Sequence, residues 1–264
     1  MIELLNMDCM EYMAGCEDNA FDMTVTSPPY DNLRDYGGQC EWGDMVWKDV
    51  IRRLYRVTKP GGVVCWVVAD ATINGSESGT SFKQALYAME CGFNLHDTMI
   101  WFKNGVRFPD VTRYFDAFEY VFVFSKGAPS YFAPHGDRRN KWAGSTNHGT
   151  DRKRDGRTVI SDSAKMGGRE IPPCSKRYNV WEIANPGIPG NFHPATFPIK
   201  LAYDLIASWC PKGGRVFDPF AGSGTTGLAA HKHGCDFVGT EIDPDYFKAA
   251  QERFDNETKQ VAMF

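Results

Sequence analysis

The chain lacks a long hydrophobic segment, which argues against a protein that enters a membrane. Its longest apolar run covers residues 63–69, whereas about 20 apolar residues are needed to span a bilayer. Residues 1–13 contain no lysine or arginine, so the positively charged start of a signal peptide is missing as well. The sequence therefore predicts a protein that is not exported and has no membrane partner.

Cysteines in metal-binding spacing are also missing. The eight cysteines of the 264-residue chain form no Cys-x-x-Cys pair and have no histidine at a ligand spacing, so no zinc ribbon or other metal site is predicted. A chain of this length buries enough apolar surface to fold without disulfides. Cysteines that need no partner are typical of a reducing compartment, and a cytoplasmic location is therefore predicted.

The net charge of −4 argues against nucleic-acid binding by overall charge, but the charge is unevenly distributed. Residues 138–177 carry eleven basic and four acidic side chains, a charge of +7, so the rest of the chain carries −11. Trp142, His148 and Tyr178 lie in or beside this segment, which suits contact with phosphates and bases. A solvated loop of mixed charge is the other interpretation, and this segment alone does not decide between them.

Short apolar runs alternate with segments of helical periodicity. Strands are predicted at residues 21–26, 63–68, 98–102, 119–124, 215–217 and 237–241. Helices are predicted at residues 44–58 and 81–91, and Lys59-Pro60-Gly61-Gly62 ends the first of them. Three more helices are predicted: one that begins at residue 198, one that follows the strand at 215–217 and ends at about residue 233, and one at the C-terminus. Between about residues 125 and 190 both periods disappear, which indicates an irregular insert. This alternation predicts an α/β fold with a doubly wound, mostly parallel sheet.

A glycine-rich stretch near the C-terminus is typical of a nucleotide-binding turn. Residues 217–227 read Phe-Asp-Pro-Phe-Ala-Gly-Ser-Gly-Thr-Thr-Gly and begin in a predicted strand. Glycine lets a ligand approach the backbone without meeting a Cβ atom, and Glu241 at the end of the next strand is placed to bind two ribose hydroxyls. The turn predicts a nucleoside cofactor. It does not separate a nicotinamide nucleotide from S-adenosylmethionine, and it is also compatible with a purely structural tight turn.

A proline-rich loop, Ser27-Pro28-Pro29-Tyr30, follows the predicted strand at residues 21–26. It lies at the carboxyl edge of the expected sheet, where α/β proteins bind ligands. The prolines stiffen the loop and leave carbonyl oxygens available as acceptors. If the exocyclic amine of a base donated its two hydrogen bonds to the Ser27 hydroxyl and the Pro28 carbonyl, these bonds would favour a pyramidal nitrogen, whose lone pair can attack. A plain turn is the alternative.

Together, these features resemble the β class of amino-directed DNA methyltransferases, especially phage-borne and bacterial orphan enzymes with a Ser-Pro-Pro-Tyr loop. That family has the proline-rich loop, a target-recognition insert and an Asp-Pro-Phe-x-Gly-Ser-Gly-Thr-Thr loop in the order found here. Residues 59–62, 100–103, 119–126 and 193–198 are also similar. The resemblance implies a Rossmann-like, S-adenosylmethionine-dependent methyltransferase with a catalytic half at 1–125, an insert at 126–190 and a cofactor-binding half at 191–264.

The resemblance assigns roles to three groups of residues. The catalytic loop at a flipped base comprises Ser27, Pro28, Pro29 and Tyr30, and Tyr30 would stack on the base. DNA contacts from the insert are expected at Arg138, Arg139, Lys141, Arg152, Lys153 and Arg154. The cofactor residues are Asp8, Phe197, Asp218, Phe220, Gly222, Gly224, Thr225 and Glu241. Among them, Asp8 can equally cap a short helix and Phe197 can equally belong to the core.

The reaction that the resemblance implies is direct methyl transfer to an amino nitrogen of a base turned out of duplex DNA. In the family that the chain resembles, serine at the first loop position favours cytosine N4, and adenine N6 is the alternative. A C5-cytosine methylase is disfavoured, because its Pro-Cys motif is missing and Cys210-Pro211 has the reverse order. The competing hypotheses are an RNA or protein amide methylase, a nicotinamide-dependent oxidoreductase and an inactive DNA-binding protein. The sequence does not distinguish a monomer from a homodimer.

Overall fold

The computed structural model describes residues 1–29, 42–105, 112–147, 149–184 and 197–261. The predictions for Tyr30, His148 and residues 193–196 therefore lie outside the described residues. The chain forms two compact units. The first comprises Met1–Ala133 and Asn179–Phe264, and the second comprises Pro134–Tyr178.

Helices and strands alternate along the first unit, and short hairpins make up the second. The helices are α1 (Cys9–Gly15), α2 (Asp44–Val57), α3 (Thr80–Glu90), α4 (Asp162–Lys165), α5 (Ile199–Trp209), α6 (Thr225–His233) and α7 (Pro244–Val261). The strands are β1 (Ile2–Asn6), β2 (Phe21–Thr26), β3 (Thr58–Val68), β4 (Thr72–Ile73), β5 (Ser76–Glu77), β6 (Asn94–Phe102), β7 (Phe118–Ser125), β8 (Arg138–Arg139), β9 (Thr146–Asn147), β10 (Thr150–Arg152), β11 (Thr158–Ile160), β12 (Arg169–Glu170), β13 (Cys174–Ser175), β14 (Val180–Glu182), β15 (Arg215–Asp218) and β16 (Asp236–Glu241). Within the described ranges, no helix has the length and apolar character that crossing a membrane requires.

The first unit contains an eight-stranded sheet with the order β1-β16-β15-β2-β3-β7-β6-β14. Parallel pairing joins β1 to β16, β16 to β15, β15 to β2, β2 to β3, and β6 to β14. Only β7 runs antiparallel to its neighbours, β3 and β6, among these described strands. The predicted mostly parallel α/β sheet is thus confirmed.

Helices cover both faces of this sheet. On one face, α5 and α6 pack through a buried cluster that includes Leu205 and Ala229. On the other face, α1, α2 and α3 pack through a second cluster that includes Leu54 and Ala88. The sequence cause is clearest in α2, because its buried residues recur every three or four positions along one helix face; they are Trp47, Val50, Ile51, Leu54 and Val57. Each such side chain contributes about 2 kcal/mol by burial.

The strand after α2 begins earlier than the sequence predicts. Lys59-Pro60-Gly61-Gly62 follows the end of α2, as predicted, but already lies within β3. Phe21 pairs with Thr58, and the register then shifts before Met23 pairs with Val63. The extra residues form a bulge, which breaks the alternation that identifies a strand from its sequence.

Two edge strands, β1 and β14, are absent from the sequence-based prediction. β1 pairs with β16 at one edge of the sheet, and β14 pairs with β6 at the other. β14 falls inside the segment predicted to be irregular, yet its Trp181 is buried and lies in register with Trp101. These strands are only five and three residues long, so pairing with a neighbour determines them more than any local pattern does.

The second unit consists of antiparallel pairs: β8 with β13, β9 with β12, and β10 with β11. Most of its described side chains are exposed or half-buried. Polar contacts connect the segments, since the side-chain nitrogen Nδ2 of Asn140 donates to the Pro172 carbonyl and to the Ser175 hydroxyl, both at 2.7 Å. Hydrogen bonds therefore contribute more to this unit than a hydrophobic core does.

Candidate active site

A pocket lies in the first unit at the carboxyl ends of β1, β2, β15 and β16. The chain passes from β15 to α6 on one face of the sheet, whereas α2 follows β2 on the other face. Parallel sheets open a crevice where neighbouring connections diverge in this way. The empty space in and around the pocket is about 1010 Å³, a volume that includes open solvent at its mouth.

The proline-rich loop and the glycine-rich turn line this same pocket. Ser27 and Pro29 contribute from the loop after β2, and Phe220, Gly222 and Thr225 contribute from the turn after β15. The two stretches are distant in the sequence. They meet because β2 and β15 pair in parallel and end at the same edge of the sheet.

Three further residues predicted to bind the cofactor also line the pocket: Asp8, Phe197 and Glu241. The Oδ1 atom of Asp8 accepts the backbone N–H groups of Met10 and Glu11, so Asp8 caps α1 as well. Phe197 is half-buried and packs against the core cluster that includes α5. Asp8 therefore both lines the pocket and caps a helix, and Phe197 both lines the pocket and packs against the core.

Pro28, Asp218 and Gly224 are not among the residues that line the pocket. Pro28 is buried. Gly224 precedes α6 with a φ of +74°, a conformation that favours glycine, and a Cβ atom there would lie 3.4 Å from the Cβ atom of Ala250. Gly224 therefore shapes the turn and lets α7 approach it.

Glu241 both faces the pocket and holds the turn. Its Oε2 atom accepts the Gly222 N–H group at 2.9 Å, and its Oε1 atom accepts the Asp243 N–H group at 3.0 Å. Burial raises the pKa of the Glu241 carboxyl above its usual range. A carboxylate oxygen can accept two hydrogen bonds, so both oxygens of Glu241 retain acceptor capacity for ligand hydroxyls.

Asp218 is a buried carboxyl at the end of β15, with 1% of its surface exposed. Its Oδ1 atom accepts the Thr26 hydroxyl at 2.7 Å and the Phe220 N–H group at 3.0 Å. Its Oδ2 atom accepts the Thr226 hydroxyl at 2.6 Å. Burial raises the pKa of Asp218 to about 6, although these hydrogen bonds act in the opposite direction. Asp218 therefore connects the end of β2, the turn and the start of α6.

Arg253 of α7 contacts the glycine-rich turn and is absent from the sequence-based prediction. One of its terminal nitrogens donates to the Ser223 carbonyl and to the Thr225 hydroxyl, each at 3.0 Å. Its Nε atom donates to Glu257 at 3.1 Å. The sequence does contain a signal for Arg253: it follows Tyr246 and Ala250 at helical spacing, so the three residues lie on one face of the helix. A charged residue on that inward face indicates a buried partner.

Trp42 lines the pocket and is also absent from the sequence-based prediction. Its ring meets Phe220 edge-on, with ring centroids 5.3 Å apart. Its indole N–H group is buried and has no hydrogen-bond partner in the part of the chain that the structure describes. A buried donor without an acceptor is costly. An acceptor on a ligand in this pocket would therefore be a favourable partner.

The groups around the pocket fit S-adenosylmethionine. Asp8 and Glu241 offer carboxylates to amino and hydroxyl groups, and Phe197 and Phe220 offer apolar surface to a ring. Gly222 adds no side chain where the backbone would approach the ligand. A nucleoside that also carries a charged amino-acid chain combines these requirements.

Comparison with solved structures gives the class of the fold. A PvuII DNA methyltransferase described as cytosine-N4-specific has a TM-score of 0.68 and 22% identity, covering 96% of this chain and 86% of the other. TTHA0409 from Thermus thermophilus, complexed with S-adenosyl-L-methionine, has a TM-score of 0.64 and 24% identity, covering 97% and 96%. The first unit therefore has the α/β fold of these methyltransferases.

Sequence comparison identifies the family. Residues 21–252 match the DNA methylase family, of the N6 and N4 methyltransferase type. The orphan methyltransferase M.BamHII of Bacillus amyloliquefaciens is 46% identical over 247 residues, which cover 90% of each chain. M.SmaI of Serratia marcescens is 27% identical, covering 93% of this chain and 88% of the other. The chain belongs to the DNA methylase family.

The protein is an S-adenosylmethionine-dependent DNA methyltransferase that acts on an exocyclic amino group, cytosine N4 or adenine N6. DNA is accordingly its substrate. A nicotinamide-dependent oxidoreductase, which the glycine-rich turn alone allows, is excluded by this family membership.

Proposed function

We propose that the protein methylates cytosine N4 at a specific site in duplex DNA after the base has been turned out of the helix. The observation that carries this proposal is the shared pocket, because Ser27 and Pro29 line the same space as Phe220, Gly222 and Glu241. A methyl donor held by the glycine-rich turn would have its reactive carbon beside the loop that receives the amine. Serine at the first loop position favours cytosine, and adenine N6 is the alternative.

The loop after β2 would activate the amine by accepting hydrogen bonds from its N–H groups. The nitrogen of an exocyclic amine is a poor nucleophile because its lone pair is conjugated into the base. Hydrogen bonds from its two N–H groups to the Ser27 hydroxyl, whose residue lines the pocket, and to the Pro28 carbonyl, whose residue does not, would favour the pyramidal geometry that frees the lone pair. S-adenosylmethionine supplies the activated methyl group. As the nitrogen formed its bond to the methyl carbon, the carbon–sulfur bond would break to leave S-adenosylhomocysteine, and the extra proton on the nitrogen would pass to solvent water.

The residues around the glycine-rich turn would hold the donor in line with that nitrogen. Glu241 would accept the ribose hydroxyls, Asp8 would bind at the adenine end, and Phe197 would pack beside the donor. Phe220, Gly222 and Thr225 contact its methionine end. Asp218 and Gly224, which do not line the pocket, support this end through the shape of the turn.

The basic second unit would bind the DNA backbone and select the recognition site. Arg139, Lys141, Arg152, Lys153 and Arg154 are exposed. Lys141 lies 5.2 Å from the ring of the exposed Trp142, and Arg138 lies 4.4 Å from the ring of Tyr178. Cations beside aromatic rings suit a surface that meets both phosphates and bases. The cysteine pattern supports a reducing, cytoplasmic setting for this activity.

Neutralising part of this basic surface should weaken DNA binding. In the variant Arg152→Gln/Lys153→Gln/Arg154→Gln, we expect at least a tenfold loss of affinity, because each lost phosphate contact removes counterion release. The slope of log affinity against log salt should fall by about 1 per lost contact. Fluorescence anisotropy with labelled duplex DNA measures both quantities.

The control for this experiment is Arg157→Gln/Lys165→Gln. It removes basic residues of the same unit that form local ion pairs with Asp155 and Asp162. We expect its affinity to stay within about threefold of the wild type. The same loss of affinity per charge removed in both variants would mean that overall charge, and not the run from Arg152 to Arg154, binds the DNA.

Tyr30→Ala should impair turnover more than cofactor binding. Stacking of a base on an aromatic ring contributes about 1–3 kcal/mol, so we expect the single-turnover rate to fall roughly 10- to 100-fold. The dissociation constant for S-adenosylmethionine should change less than threefold. Tyr30→Phe keeps the ring and should stay near wild-type activity. If Tyr30→Ala weakened cofactor binding more than it slowed turnover, the assignment of Tyr30 to the base site would be wrong.

The central test is the identity of the methylated base. The chain is expressed in a host that lacks DNA methylation, and the DNA is digested to nucleosides for mass spectrometry. N4-methylcytosine is the expected product, and N6-methyladenine alone would select the alternative base. If neither nucleoside forms while labelled methyl groups appear on RNA or protein, cytosine N4 is not the methyl acceptor and the proposal is wrong.

A further inference from the structure

Side chains join the proline-rich loop to the glycine-rich turn at the point where backbone pairing between their strands ends. β2 and β15 pair at Met23 with Val216 and at Thr24 with Phe217. Beyond these pairs, the Thr26 hydroxyl donates to Oδ1 of Asp218 at 2.7 Å. Both side chains are almost completely buried, so water does not compete for this bond. Thr26 immediately precedes Ser27.

Asp218 carries the connection onward to the cofactor side of the pocket. The oxygen that accepts the Thr26 hydroxyl also accepts the N–H group of Phe220, at 3.0 Å. Phe220 itself lines the pocket. A shift of the turn therefore moves the carboxylate that Thr26 contacts. Hydrogen bonds to a buried carboxylate are strong and directional, so this connection is stiff.

We infer that Thr26 is a positioning residue that couples the loop at Ser27 to the occupancy of the cofactor pocket. Its hydroxyl acts through Asp218, because Thr26 is not among the pocket residues. Binding of the methyl donor at the turn thereby holds the receiving loop in the arrangement that accepts the base. Coupling of this kind is reciprocal, so a base at the loop also tightens the turn. The inference rests on the proposed function of the two loops.

The chain supplies a matched control two residues earlier on the same strand. Thr24 is buried on the same face of β2 as Thr26, since side chains alternate along a strand. Its hydroxyl has no hydrogen-bond partner among the described residues. Thr24→Val and Thr26→Val therefore make the same isosteric change at similar depth, but only the second removes a bond to Asp218.

The first experiment separates turnover from cofactor binding in the full-length chain. Single-turnover transfer of labelled methyl groups to unmethylated DNA is measured together with the dissociation constant for S-adenosylmethionine. We expect Thr26→Val to slow transfer at least tenfold while the dissociation constant changes less than threefold. Thr26→Ser, which restores the hydroxyl, should recover transfer to within about threefold of the wild type. Thr24→Val should match the wild type.

The second experiment needs no activity. Hydrogen exchange in peptides covering residues 21–29 is compared with and without S-adenosylmethionine. We expect the cofactor to slow exchange at the end of β2 in the wild type and in Thr24→Val, and to lose at least half of this effect in Thr26→Val. If the wild type methylates no DNA, the proposed function fails, and the exchange measurement still decides the coupling.

Two results would overturn the coupling. The first is a Thr26→Val variant with wild-type transfer and wild-type cofactor-dependent exchange. The second is a variant that loses transfer, cofactor binding and thermal stability together and is not rescued by serine, because a purely structural role produces that pattern.

Discussion

Glu241→Ala should weaken S-adenosylmethionine binding by 100-fold or more and leave the affinity for DNA within about threefold. Two effects combine here. The variant loses a carboxylate that is proposed to accept two ribose hydroxyls, and hydrogen bonds to charged groups contribute about 1.5–3 kcal/mol each. In the wild type the N–H groups of Gly222 and Asp243 donate to the Glu241 carboxylate at 2.9 and 3.0 Å. The variant leaves both groups without this acceptor. The turn that shapes the pocket therefore loosens as well.

Isothermal titration calorimetry with S-adenosylmethionine measures the first quantity, and fluorescence anisotropy with duplex DNA measures the second. Glu252→Ala removes an exposed carboxylate from α7 and should bind the cofactor as the wild type does. Saturating cofactor should partly restore turnover in Glu241→Ala, because the loop that receives the base is unchanged. A variant that binds cofactor normally but no longer transfers methyl groups would mean that Glu241 belongs to the base side of the pocket.

The stability of the wild type relative to Asp218→Asn should fall as the pH rises. The pKa of Asp218 is about 6 in the folded chain, above the ordinary value of 3.8, because burial disfavours the charged form. A group whose pKa is raised by folding stabilises the fold below its unfolded pKa and loses that contribution as the pH rises through its folded pKa. The full difference is about 3 kcal/mol, of which about 2 kcal/mol lie between pH 4.5 and 7.5.

Urea denaturation of both chains at pH 4.5, 5.5, 6.5 and 7.5 measures this difference. Groups common to both proteins largely cancel, so the remaining slope reports on Asp218. Carboxyl carbon shifts in NMR spectra of labelled wild type should show the same titration near pH 6. A stability difference that stays flat over this range would mean that Asp218 ionises as an exposed carboxyl does, and that its burial costs less than the structure indicates.

The parts of the fold that sequence could predict are those with a strong local pattern. The strand at residues 21–26 was predictable because apolar residues alternate with polar ones and two prolines follow shortly after it, and α2 because its apolar residues recur at helical spacing. β14 was not predictable in this way. Its three residues form a strand only because β6 offers an unpaired edge, and no local signal specifies that partner.

The site divides in the same manner. Ser27, Gly222 and Glu241 belong to motifs whose chemistry can be recognised in the chain, and all three line the pocket. Arg253 and Trp42 belong to no such motif, and the hydrogen bond from Thr26 to Asp218 joins residues that only the folded chain brings together. Such contacts depend on the order of strands in the sheet.

The sequence by itself determined the chemical character of this protein: an amine-receiving loop, a glycine-rich turn followed by an acid, and an α/β alternation around a basic insert. These features depend on residue type and short spacing, which local chemistry fixes. Only the tertiary structure decided that both loops share one pocket and that Asp218 holds the turn by hydrogen bonds without lining the pocket. Parallel pairing of β2 with β15 brings distant residues to one edge of the sheet, and burial then determines which side chains reach the ligand and which hold those that do.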